Sequence, residues 1–160
     1  MPLCTSELIS PLIIFFFYPT TQNRKHFIVQ IFPSVETLLP HRPPAIVVDR
    51  IISFDKGTII CKRTVRPDEH YGPGLSYEGI VEFCAQAAIL CEAMASGGAM
   101  KQGVLASIDD FVFNKEAAVG DALVAEITTK TKFGNLGLFE CKVTCQGTQV
   151  AHGFIKAAQS

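Results

Sequence analysis

The stretch Gly79-Ile80-Val81-Glu82-Phe83-Cys84-Ala85-Gln86-Ala87-Ala88-Ile89-Leu90-Cys91-Glu92-Ala93-Met94-Ala95 constrains the fold more than any other part of the chain. It has no internal Gly or Pro and consists largely of residues that a helix accepts at little cost. Ile80, Cys84, Ala87, Cys91 and Met94 share one side at the 3,4 spacing of a helix. The other side is apolar as well, through Val81, Phe83, Ala85, Ala88, Ile89 and Leu90. A helix apolar almost all round is a buried one. Yet Glu82 and Gln86 sit in it four residues apart, facing the same way. Burying a carboxyl and a carboxamide without partners costs on the order of a few kcal/mol. A functional reason would offset that cost.

The rest of the chain supplies what such a helix must be buried in. Ser34 to Leu39 reads as a short helical turn with Ser34 as N-cap, stopped by Pro40. His41-Arg42-Pro43-Pro44 is an extended or turn segment. Ala45–Phe54 and Thr58–Val65 are rich in β-branched residues and flank Asp55-Lys56-Gly57, which predicts a hairpin. Arg66–Leu75 is a loop punctuated by Pro and Gly. Ser76 is placed to cap the central helix, with Glu78 in its first turn. Four more strands are expected near Val104–Phe113, Ala122–Thr131, Leu138–Gln146 and Thr148–Ala157. Two strands, one long buried helix and four strands give an α+β fold, an antiparallel sheet wrapped around the helix. That plan is the hotdog fold.

The 160 residues suit one such domain, placed at 34–160. Residues 1–33 read as an N-terminal extension. Its run Leu12–Tyr18 falls far below the roughly 20 residues of a membrane span. No Lys or Arg precedes the run, and Pro19-Thr20-Thr21-Gln22 is no small-residue cleavage site, so a cleaved leader is disfavoured. With Lys+Arg 14 against Asp+Glu 15, no basic excess points to nucleic acid. The six cysteines form no C-x-x-C pair and read as buried thiols in a reducing compartment, hence a cytoplasmic protein. No His/Cys/Asp cluster at ligand spacing predicts a metal, and no glycine loop predicts a nucleotide phosphate.

Several of these pieces together resemble one family. Leu38-Leu39-Pro40-His41-Arg42, then Val48-Asp49-Arg50, then Gly79 leading to Glu82-x-x-Ala85-Gln86, and Val119-Gly120-Asp121 look like the 3-hydroxyacyl-[acyl-carrier-protein] dehydratases. The likeness spans about residues 35–158. Leu75–Glu82, Arg63–Arg66 and Leu138–Cys141 look closer to the partner-type dehydratases of aryl-polyene clusters. The resemblance implies a homodimer, or a heterodimer with another hotdog subunit. Its substrate would be an acyl thioester carried on the phosphopantetheine of an acyl carrier protein or on CoA, with no further cofactor. It implies a catalytic His and a helix carboxylate that together remove an α-proton and expel the 3-hydroxyl. A backbone N–H at the helix start polarises the thioester carbonyl. Carried over, Glu82 is the catalytic carboxylate, while Gly79 and Gln86 are substrate-binding. His70 is the candidate catalytic histidine.

The loop departs from the family's Gly-His-Phe-Pro-Gly, reading His70-Tyr71-Gly72-Pro73-Gly74 with a shorter run to Glu82. Either His70 replaces the family His, or it aligns upstream of it and a partner subunit supplies the missing group. A non-catalytic subunit that binds acyl chains or supports an active partner, and a thioesterase on the same fold, are the alternatives. Three minor expectations complete the reading. Asp49 and Arg50 form a structural charge pair within or between subunits, His41 and Arg42 fix the chain entering the first strand, and His152 serves surface or sheet packing. Lys130-Thr131-Lys132-Phe133-Gly134-Asn135 is a candidate basic rim for an acidic carrier, or a solvated hairpin tip.

Overall fold

The computed structural model describes residues 30–67, 74–99 and 101–159. The readings of Leu12–Tyr18, Cys4 and His70 therefore lie outside the described residues. In chain order the elements are α1 (Val35–Leu38), β1 (Arg50–Asp55), β2 (Thr58–Thr64), α2 (Tyr77–Ala95), β3 (Gly103–Phe113), β4 (Ala122–Phe133), β5 (Leu136–Cys145) and β6 (Thr148–Gln159). The six strands form one sheet in the order β1-β2-β4-β5-β6-β3, every neighbour antiparallel. The sheet wraps α2, as the sequence plan expects.

Alternation along the strands builds the inner surface. Leu123, Ala125 and Ile127 of β4, Phe139, Cys141 and Val143 of β5, and Ala151 and Ile155 of β6 are all buried. They close on α2, which is buried without interruption from Phe83 to Ala93. The β1–β2 and β5–β6 hairpins turn on Lys56-Gly57 and Gln146-Gly147, all four residues at positive φ, the left-handed geometry that tight hairpins need.

The structure corrects the sequence reading in three places. Ala45–Asp49 precedes the first strand, which starts at Arg50. Although Val47 and Val48 are buried, the Val47 N–H donates to a side chain, Gln86 Oε1, at 2.9 Å and so joins no ladder. Asp49 takes Arg66 as its ion partner, at 2.5 Å, and also accepts from the Thr64 N–H at 2.7 Å. Arg50 is exposed on the opposite pleat. At α1 the Ser34 hydroxyl makes no cap bond. Instead Thr37 donates both its N–H and its hydroxyl to the Ser34 carbonyl.

Five cysteines, at 61, 84, 91, 141 and 145, are free and buried. Burial pushes the Cys61 thiol up to about 12. The neighbouring Cys141 thiol, then burial, pushes Cys84 well above its ordinary value. Thiols in that state behave as small apolar side chains. No described helix is long and apolar enough to cross a membrane.

Candidate active site

The site is built on the first turns of α2. Gly74, at φ 114, brings the chain to the helix: a Cβ there would lie 2.8 Å from the Ala117 carbonyl oxygen. That close approach lets Leu75 and Ala117 exchange backbone hydrogen bonds in an isolated bridge. Ser76 then caps the helix as expected, its hydroxyl accepting from the Gly79 N–H at 3.4 Å. The Ser76 hydroxyl also holds the exposed Glu78 carboxyl below the usual range. At 3.4 Å the bond to Gly79 is longer than the ordinary 2.7–3.2 Å range. The Gly79 amide is thus loosely held at the positive end of the helix dipole.

One turn on, Glu82 is half-buried and Gln86 is fully buried. Gln86 Nε2 donates to Glu82 Oε1 at 2.8 Å and to the Ala45 carbonyl at 2.8 Å. Gln86 Oε1 accepts from Val47 N–H. Both amide hydrogens are therefore used: one fixes the carboxyl, and the other binds the segment that crosses the helix. The structure brings Glu82, Gln86 and Gly79 together on one helix end. It gives Gln86 a contact with Glu82 that the sequence spacing allowed but did not specify.

Aromatic rings stand beside this end. Tyr77 stacks on Phe113 of β3 with centroids 4.4 Å apart, and Phe111 lies against Phe113 at 5.1 Å. Sequence reasoning left Tyr77 and the two Phe residues unassigned, although Tyr77 at the first helical position was a visible signal.

The remaining candidates fall elsewhere. Arg42 ties back to the Leu39 and His41 carbonyls, consistent with fixing the chain before β1. His152 is exposed and meets Gln149 at 2.9 Å. Lys130 pairs with Glu140, and Lys132 with Glu92, so both cations of the expected basic rim have carboxylate partners. Among the described residues no group of three or more His, Cys, Asp and Glu is arranged to hold a metal.

Known proteins give this geometry a context. Residues 33–160 match the family described as ApeP-like, ApeP dehydratase. A 3-hydroxyacyl-[acyl-carrier-protein] dehydratase FabZ of Xanthomonas euvesicatoria pv. vesicatoria (strain 85-10) is 30% identical over 139 residues, covering 78% of this chain and 90% of the relative. Among solved structures, the dehydratase heterocomplex ApeI:P from Xenorhabdus doucetiae aligns with a TM-score of 0.70 at 21% identity, over 81% of this chain and 93% of that one. A hypothetical thioesterase with coenzyme A from Streptococcus pneumoniae TIGR4 aligns with a TM-score of 0.53 at 14% identity, over 69% of this chain and 84% of that one. These alignments match the hotdog architecture expected from the order of elements.

Proposed function

Since the chain belongs to the ApeP-like dehydratase family, we propose that it takes part in removing water from 3-hydroxyacyl thioesters carried on an acyl carrier protein, with Glu82 as the helix carboxylate of the site. The observation that carries this reading is the hydrogen bond from Gln86 to Glu82. Gln86 holds Oε1, so the carboxyl presents its other oxygen, Oε2, in a fixed direction. At Oε2 the carboxylic acid gives its proton to the departing 3-hydroxyl. A histidine takes the α-proton, and the C2–H and C3–O bonds break as the double bond and water form. A carboxyl held within hydrogen-bond reach of the substrate's hydroxyl can serve such proton transfer. The loosely capped Gly79 N–H polarises the thioester carbonyl as negative charge builds on its oxygen. Gln86 is thereby a positioning residue, and Gly79 contacts substrate. The chemistry needs no cofactor beyond the phosphopantetheine arm that carries the acyl group.

The histidine is either His70 or one contributed by a second hotdog subunit. The ApeI:P assembly, itself a heterocomplex, supports the second choice. So does β3, which among the described residues is an edge strand paired with β6 alone and exposes Val104, Ile108 and Val112. A long apolar edge is a template for pairing with another chain. The protein accordingly works in the cytoplasm as one half of a dimer.

The reaction class is tested by incubating the protein, alone and with a catalytic hotdog partner, with a 3-hydroxyacyl-carrier-protein substrate. Enoyl product and free thiol are measured together. The dehydratase reading expects an enoyl thioester with the carrier bond intact. Free thiol without enoyl product would instead assign a thioesterase, and neither product from the complex would leave a non-catalytic subunit.

A further inference from the structure

The same helix carries a second acidic residue that the dehydration chemistry does not use. Glu92 lies ten residues beyond Glu82, about 15 Å along the helix. Glu82, Ala85, Ile89 and Glu92 share one face at the spacing of helical neighbours. Glu92 is 6% exposed. Its Oε2 receives the Lys132 ammonium and the Gln159 amide, the latter at 2.8 Å. Its Oε1 is buried and has no hydrogen-bond partner among the described residues. A buried carboxylate oxygen left unsatisfied loses its hydration and gains nothing in return. Such an oxygen in a folded protein calls for a partner.

Glu92 lines a cavity of about 130 Å³ between α2, the start of β3, the β4–β5 hairpin and the end of β6. Its other walls include the apolar Ile89, Leu136 and Phe139, with Lys132 and Gln159 at the polar end. Gly103 and Gly137 line it too. A Cβ at Gly103 would lie 3.0 Å from Ile89, and one at Gly137 2.6 Å from the ring of Phe139. Ile89 and Phe139 therefore pack directly on the two glycines to form these walls. A space of about 130 Å³ has room for a compact organic group of benzene's size.

We propose that this cavity is a second binding pocket, distinct from the Glu82 site, and that it takes a compact apolar group ending in a hydroxyl that donates to Glu92. The charges select that class. Lys101 and Lys132 both line the space, so an ammonium would meet repulsion, and an anionic group has no proton to give the bare Glu92 oxygen. A neutral O–H satisfies the bare oxygen through a charge-assisted bond. The hydroxyl comes either from a free small alcohol or from the far end of an acyl chain whose reacting carbon lies at Glu82. Only the latter source rests on the dehydratase reading.

The test is titration of the isotope-labelled protein with cyclohexanol and with cyclohexanone, which is similar in size but has no donor, followed by amide chemical shifts. Saturable shifts at Gly103, Leu136 and Gly137, with cyclohexanol binding at least about fivefold more tightly, are expected. Glu92→Gln should abolish the difference. Equal binding of the two, shifts elsewhere, or no saturable binding would overturn the proposal, leaving a cavity that holds only solvent. A turnover arm separates the sources. If 3-hydroxyacyl thioesters with an ω-hydroxyl outcompete their methyl-ended counterparts in kcat/KM, and Glu92→Gln erases that preference, the hydroxyl belongs to the chain. Cyclohexanol selectivity without any such preference assigns the pocket to a free alcohol. The binding arm stands even if the protein catalyses nothing.

Discussion

Gln86 donates one amide hydrogen to Glu82 and the other to the Ala45 carbonyl, both at 2.8 Å. One side chain therefore ties the acid of the site to the segment that crosses the central helix. Replacing it with an apolar group of similar shape removes both ties at once, and stability and turnover read them separately. Gln86→Leu leaves the buried Val47 N–H without its acceptor, and an unsatisfied buried donor costs about 1–3 kcal/mol. The expected outcome is that loss in chemical denaturation together with reduced enoyl formation, because the carboxyl can then rotate. Full turnover in a destabilised protein would show that Glu82 needs no positioning.

The buried thiols set a pH limit on stability. Cys61 is raised from 9.0 to about 12 in the folded protein, so above pH 9 the unfolded chain releases a proton that the native state keeps. Where the unfolded state binds fewer protons, stability falls as pH rises. The Cys61 contribution is therefore whole below pH 9.0 and declines between there and about 12. Urea denaturation between pH 8.5 and 11 should show a shallower decline for Cys61→Ala than for the unmodified chain. Identical slopes would mean that this thiol titrates freely in the native state.

Much of the fold was legible because the hydrophobic pattern changes period where the structure changes element. The all-round apolar run marked α2, and β-branched runs bounded by Gly marked the hairpins. Ala45–Val48 misled for a physical reason. Its composition is that of a strand, but the Ala45 carbonyl and the Val47 N–H go to the Gln86 side chain, and composition cannot say where a hydrogen bond goes. Asp49 next to Arg50 suggested a charge pair, yet neighbouring strand residues point to opposite faces, and Arg66 reached the carboxylate instead. Spacing alone placed Glu82 and Gln86 on one side of the helix and Ser76 at its cap, while the roles proposed for the first two came from the family resemblance. Glu92 was not, because the last turns of a helix are usually solvated and only the wrapped sheet shows that this one is covered.

The exposed edge of β3 predicts assembly. Ile108 is 49% exposed on a strand that, among the described residues, lies at the sheet edge, and a lysine at an edge blocks strand pairing. Ile108→Lys should convert the dimer to monomer in analytical ultracentrifugation while leaving the circular dichroism spectrum unchanged. A dimer that survives this substitution would move the interface to another surface.

The central claim is that the Glu82 carboxyl performs the proton transfer. The most direct measurement is the single-turnover rate of enoyl formation by Glu82→Gln, in complex with its hotdog partner, on a 3-hydroxyacyl-carrier-protein thioester. Removing a general acid or base typically lowers such a rate by roughly 10²–10⁴-fold. A loss of that size at an unchanged melting temperature is the predicted result, and enoyl formation at the unmodified rate would contradict it.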